Sequence, residues 1–185
     1  TDLDAAIGDA DHGINMNRGM KRIVEKLNAK EWEYANFGAL CSDVAMTIMS
    51  VVGGSAGPLY GTFFMKLGQK LSESDAVSVS ELADAMQEGL GGVMSLGKST
   101  VGDKTMVDTL APAIKALKDN AGGPEEDAWQ ACAGAAEQGM KDTIPMLARR
   151  GRSSYQGERS IGHQDPGATS AFYLISCLRD AFTER

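Results

Sequence analysis

The chain has 185 residues, 43% of them hydrophobic, which suffices for one core of ordinary size. A formal net charge of −7 excludes a broadly basic nucleic-acid face, and no window stays apolar for the length of a membrane span. Three cysteines, Cys41, Cys132 and Cys177, lie far apart without CxxC spacing, as in a reducing compartment, so a single cytoplasmic domain over residues 1–185 is expected.

In chain order, Leu3 to Ile7 read as the end of an element that starts before Thr1. Apolar residues then recur at three- and four-residue intervals in seven stretches: Met20 to Leu27, Phe37 to Ile48, Leu59 to Leu67, Leu82 to Val93, Val107 to Leu117, Trp129 to Met140 and Ala171 to Leu178. Each predicts an amphipathic helix. Pro58, Pro124 and Pro166 suit first-turn positions, Ser78 with Glu81 has capping-box spacing, and Asp165 suits the cap of the last helix. Pro112 and Pro145 are expected to kink or end helices. Strand-like alternation is confined to the residues around Val77 and Val79. The pattern predicts an all-α, antiparallel, up-down helical bundle.

Four glycine-bearing segments lie between these helices: GDADHGINMNRG at 8–19, VVGGSAGPLYG at 51–61, LGKSTVGDKT at 96–105 and RRGRSSYQGERSIGHQDPGATS at 149–170. The last is too long for a mere turn. In a bundle with short connections, loops from alternate helix ends share one rim, so these segments are expected to meet there.

Asp4, Asp9 and Asp11 crowd the first segment. On an uninterrupted helix, Asp9 and Asp11 would point about 200° apart, so convergence requires a loop, which Gly8 permits. Three inward carboxylates repel unless cations sit between them, and oxygen ligands without sulfur favour Mg²⁺ over zinc. A solvated acidic cap or turn is the alternative for two nearby Asp residues; the third Asp and the flanking glycines favour the metal. The 51–61 segment reads either as a glycine-rich turn holding phosphate at a helix N-terminus or as close helix packing. Without a Lys-Ser/Thr sequel it is not a Walker motif. Arg149, Arg150, Arg152 and Arg159 suit phosphate pairing or plain solvation. His12 and His163 stand in Gly/Asp settings, and spacing shows no nucleophile and base pair.

LDAAIGDADHGINMNRG, VGGSAGPLYGTFF, GKSTVGDKTM and GRSSYQGERSIGHQDPGATS, in this order, resemble the nucleotide-binding L subunits of dihydroxyacetone kinases over nearly the whole chain. The resemblance implies a barrel of eight antiparallel helices, the first of them ahead of this chain. It implies two Mg²⁺ ions held by Asp4, Asp9 and Asp11, bridging to the phosphates of tightly bound ADP or ATP. Nucleotide contacts are implied from His12, Gly13, Ile14 and Asn15, from Ser55 and Ala56, and from Gly97 and Met106 beside the adenine. Arg152 would meet and stabilise phosphate, and Asp165, Pro166 and Gly167 would close the site. The family's glycine turn more often reads GGASG. Ser55 and Ala56 stand here in the opposite order, which leaves open which position supplies a hydroxyl.

A chain without a substrate-binding domain resembles the family's phosphotransferase-system design rather than its fused, ATP-dependent one. There, a phosphohistidine on an M subunit rephosphorylates bound ADP, and the ATP formed phosphorylates dihydroxyacetone held on a K subunit. A homodimer is expected. Two other readings are a nucleotide-sensing module that controls a transcription factor and a Mg²⁺-dependent phosphohydrolase, for which no water-activating base is identifiable.

Overall fold

The computed structural model describes residues 1–30, 35–72 and 76–183. Eight α-helices follow one another there: α1 (Asp2–Ile7), α2 (His12–Asn28), α3 (Phe37–Val51), α4 (Ala56–Lys70), α5 (Val79–Gly97), α6 (Met106–Asn120), α7 (Glu125–Asp142) and α8 (Pro166–Thr183). A 3₁₀ helix at Arg152–Ser160 precedes α8, and no strand occurs among the described residues. No helix among them is long and apolar enough to cross a membrane.

All seven periodic stretches lie inside α2 to α8. The local signals explain where several of these helices start. Ser78 accepts from the Glu81 N–H at 3.2 Å while Glu81 accepts from the Ser78 N–H at 2.9 Å, closing the expected box. Val79 therefore opens α5, and the alternation around it belongs to a helix entry, not a strand. Asp165 caps α8 through the Ala168 N–H at 2.7 Å. Thr105 and Asp108 form a second capping box, at the start of α6. Pro58 and Pro166 sit in first turns, whereas Pro124 stands one place earlier, at the N-cap of α7.

Pro112 does not end α6, which continues to Asn120. Lacking an N–H, it leaves the Asp108 carbonyl without its usual helical donor. Gly139 of α7 lies directly over that carbonyl, where a Cβ would collide with the oxygen. Pro145 follows the end of α7, as expected.

Neighbours in sequence are neighbours in space: α3 packs on α4, α4 on α5, α5 on α6, α6 on α7, and α7 on α8, while α2 packs chiefly on α3. Ile48, Phe63, Met86, Leu110, Trp129 and Ile175 fill the interior between them. Gly57, Gly61 and Gly68 of α4 face α3, against Val52, Met49 and Gly38 respectively, so the two backbones nearly touch. Alternation of direction brings the N-termini of α2, α4, α6 and α8 to one end of the bundle, around one pocket.

Candidate functional site

That pocket has a volume of about 330 Å³ and draws on all four glycine-bearing segments. The residues that open α2, α4, α6 and α8, namely His12, Ala56, Met106 and Pro166, all line it. Each helix N-terminus carries roughly half a positive charge together with N–H groups that have no helical partner. Their convergence favours an anion in the pocket; amides of α2, α6 and α8 are partly taken up by the side chains of Asp4, Thr105 and Asp165, while α4 has no side-chain cap from Ser55.

On one wall stand the acids. Asp4, Asp9 and Asp11 each offer a carboxylate oxygen, and these lie within 4.8 Å of one another. An all-oxygen donor set of this kind fits a hard divalent cation such as Mg²⁺. The loop that gathers them is short. Asp4 sits in α1, α2 already begins at His12, and Oδ2 of Asp4 accepts the N–H groups of Asp11 at 2.9 Å and His12 at 3.0 Å. One oxygen of Asp4 thus caps α2, while Asp11, at the N-cap position, makes no capping bond with its side chain. Gly8 is required for space: a Cβ there would run into Asp4 Oδ1. The left-handed residue of the turn is Ala10, with φ 62°. Asp9 pairs with Arg152 at 2.9 Å.

Behind the acids, His12 donates or accepts through Nε2 with Ser170 Oγ at 2.9 Å. Ser170 in turn meets the Tyr60 hydroxyl at 2.8 Å and the Gly167 carbonyl at 3.0 Å. If the single Ser170 proton goes to that carbonyl, both Tyr60 and His12 must donate to Ser170, which sets the Nε2–H tautomer. Burial holds the His12 pKa below its ordinary value, against the pull of Asp4, and likewise pushes the Tyr60 phenol up.

The glycine-rich segment divides between lining the pocket and packing helices, on different residues. Gly53 and Gly54 line the pocket together with Ser55 and Ala56, and Gly54 is left-handed at φ 65°. Gly57 and Gly61 instead pack α4 on α3. Ser55 brings a hydroxyl that makes no cap bond. An apolar side is built from Leu59, Val93, Leu96 and Met106, with Gly97 so close to Leu59 that an added Cβ would stand 3.3 Å from its Cδ2.

The DAK2 domain profile matches residues 6–180 of this sequence. The chain belongs to the DAK2 domain family. It is 43% identical over 189 aligned residues to the PEP-dependent dihydroxyacetone kinase, ADP-binding subunit DhaL, of Escherichia coli K12, covering 100% of this chain and 88% of that protein. A second relative, the PEP-dependent dihydroxyacetone kinase 1, ADP-binding subunit DhaL, of Listeria innocua, is 41% identical, with 96% and 84% covered. The crystal structure of the dihydroxyacetone kinase from C. freundii in complex with AMP-PNP and Mg²⁺ superposes with a TM-score of 0.78 at 27% identity. This DAK2 chain is covered to 97% in that match and spans 29% of the longer kinase.

Of the residues singled out in the DAK2 sequence, Asp4, Asp9, Asp11, His12, Asn15, Ser55, Ala56, Gly97, Met106, Arg152, Asp165, Pro166 and Gly167 all line the pocket. Gly13 and Ile14 do not; they lie in the first turn of α2, and Ile14 is 58% exposed. Arg150 reaches the pocket and pairs with Asp103 at 3.7 Å, while Arg149, Arg159 and His163 lie outside its lining. Sequence reasoning missed Lys104, Ser99, Thr105, Tyr60 and Ser153, which also line it. The GDKT run was visible, with Thr105 and Asp108 at capping-box spacing, and that spacing was the available signal.

Asp165 is 6% exposed, and burial pushes its pKa up to about 7 against the opposing pull of the Ala168 N–H and the Lys104 charge. A folded-state pKa above the unfolded one means the native protein holds this proton more tightly. Its stabilising contribution is complete below the unfolded carboxyl range and is lost as pH rises through about 7. Asp165→Asn keeps a cap acceptor and removes the titration. Urea unfolding at about pH 5 and about pH 8 should show a smaller loss of stability with rising pH in this variant than in the wild type. An equal loss in both would reject the assignment.

Proposed function

We propose that this DAK2 domain is the ADP- and ATP-binding subunit of a dihydroxyacetone kinase of the phosphotransferase-system type. One observation carries the reading: three carboxylates stand in the same pocket as four helix N-termini. Acids and anion-attracting helix ends oppose each other unless the ligand brings both signs, as a magnesium polyphosphate does. The 43% identity to an ADP-binding subunit supports the same reading.

Asp4, Asp9 and Asp11 would hold two Mg²⁺ ions. When bound, the ions supply neutralisation of phosphate charge. Ser55, Ala56 and the amides at the start of α4 cradle the phosphates, and His12 and Asn15 of α2 border the same space. Arg152 is 64% exposed on its side chain, so it can leave Asp9 for a phosphate oxygen at little cost. Leu59, Leu96, Gly97 and Met106 keep water from the adenine, and Asp165 to Gly167, with Gly167 beside Met106, close the site. Phosphoryl transfer asks mainly for positioning and charge neutralisation, so no general base is needed in this chain. A phosphohistidine of an M subunit would give its phosphoryl group to bound ADP, breaking a P–N bond and forming the anhydride. The terminal phosphoryl group then passes to a hydroxyl of dihydroxyacetone on a K subunit. This cycle belongs to the cytoplasm.

A nucleotide held this way leaves slowly and is recharged in place. The protein loaded with labelled ADP, chased with excess unlabelled ATP and given donor, K subunit and dihydroxyacetone, should retain its label while turning over. Rapid loss of label with turnover on free ATP would indicate the ATP-dependent design. Absence of transfer with every partner would favour the regulatory module.

A further inference from the structure

Lys104 is 1% exposed, yet no carboxylate forms an ion pair with it among the described residues. Its ammonium instead donates to the carbonyl oxygens of Thr143 at 2.7 Å, His163 at 2.5 Å and, more weakly, Ile144 at 3.5 Å. The backbone at Lys104 is left-handed, with φ 62°, a region that residues other than glycine enter against steric opposition. A buried charge on a strained backbone, hydrogen-bonded only to carbonyls, is a poor way to gain stability. Its position suggests what it does gain.

Lys104 lies just ahead of α6, Thr143 and Ile144 follow α7, and His163 leads into α8. The ammonium therefore ties together three chain segments, the approach to α6, the exit from α7 and the approach to α8. Further bonds run through the same place: Asp165 N–H donates to Thr143 Oγ1 at 3.0 Å, and Gly162 N–H to the Ile144 carbonyl at 2.8 Å. Immediately beyond these ties stand Thr105 and Met106 on one side and Asp165, Pro166 and Gly167 on the other, all lining the pocket. Gly167 packs so near Met106 that a Cβ there would stand 3.7 Å from the Met106 nitrogen.

We propose that Lys104, a residue that borders the pocket, is a positioning residue for the nucleotide: its buried ammonium, donated to the carbonyls of Thr143, Ile144 and His163, fixes the starts of α6 and α8 relative to each other. The inference rests on the nucleotide reading above. Burial lowers the Lys104 pKa, and the charge of Asp165 works in the opposite direction. Without the ammonium, three carbonyls lose a donor and the two helix starts lose their common anchor.

The test uses the whole chain and Mg²⁺ with ADP as the probe, by calorimetry at a temperature where circular dichroism shows every variant folded. Lys104→Met, which keeps the stem and removes the charge, should raise the Kd for ADP roughly 30-fold. Lys104→Gln, which can still donate to the same carbonyls, should recover part of that loss. Lys115→Met, at an exposed pair with Asp119, should leave Kd unchanged. Should Lys104→Met fail to fold, Lys104→Gln decides, with an expected rise of roughly 5-fold. Lower melting temperatures with an unchanged Kd in both variants would overturn the positioning role. Wild-type protein that binds no ADP would overturn the nucleotide reading itself, an outcome distinct from binding that survives in Lys104→Met.

Discussion

Asp9→Asn combined with Asp11→Asn should lower the affinity for ADP in the presence of Mg²⁺ by about 100-fold or more, with little loss of stability. The choice of these two acids follows from what each carboxylate does in the fold. Asp4 is 5% exposed and caps α2 with its Oδ2, so replacing it would confuse folding with binding. Asp11 makes no capping bond, and the Asp9–Arg152 pair is too exposed to contribute much, since such pairs are worth about 0–1 kcal/mol. Asn keeps the size of both side chains and removes two negative charges from a crowded site. Stability should hold or rise slightly as repulsion within the cluster falls. Calorimetry of ADP binding with and without a chelator completes the test: chelation should weaken the wild type and change the variant little. ADP binding indifferent to both the substitutions and the chelator would remove the metal from this site.

What the sequence made legible was local. The seven long helices show because their buried faces repeat at helical spacing, and Ser78 with Glu81 marks a helix start within four residues. The acids were equally readable, because Asp4, Asp9 and Asp11 lie within eight consecutive residues. The start of α2 at His12 was harder to see, since its first turns carry Gly13, Asn15 and Asn17 where an apolar stripe would be sought. The left-handed position also fell on Ala10 rather than on a glycine, against ordinary preference.

Long-range partners were out of reach. Lys104 meets carbonyls 39 and 59 residues away, and His12 is oriented by Ser170, 158 residues further on. Nothing in the spacing of a lysine shows whether its head lies in water or among carbonyls. The glycines of 51–61 posed a different difficulty, because a turn that needs Gly54 and a helix contact that needs Gly57 look alike as letters.

Gly57→Ala and Gly68→Ala should separate those two uses. Both glycines lie on the face of α4 that packs on α3, at opposite ends of the helix. In an open helix, Ala would stabilise by about 1 kcal/mol over Gly, so the sign of the change reports the packing. A Cβ on Gly68 would stand 2.7 Å from the Gly38 carbonyl oxygen and 3.0 Å from Cys41 Cβ, and one on Gly57 would collide with the Val52 carbonyl. Backbone oxygens cannot swing aside as a flexible side chain does, so α3 and α4 must move apart. Each substitution should therefore destabilise by about 2–3 kcal/mol, a fall of roughly 5–10 °C in melting temperature for a chain of this size. Their effects on the site should differ. Gly57 adjoins Gly53 to Ala56, so forcing α4 away from Val52 shifts the turn that lines the pocket and should weaken ADP binding roughly 10-fold. Gly68 lies at the far end of α4, and its substitution should leave ADP affinity within about 2-fold of the wild type. A rise in melting temperature for either variant would show that the helices do not approach as described, and equal affinities in the two would dissociate the glycine turn from the nucleotide.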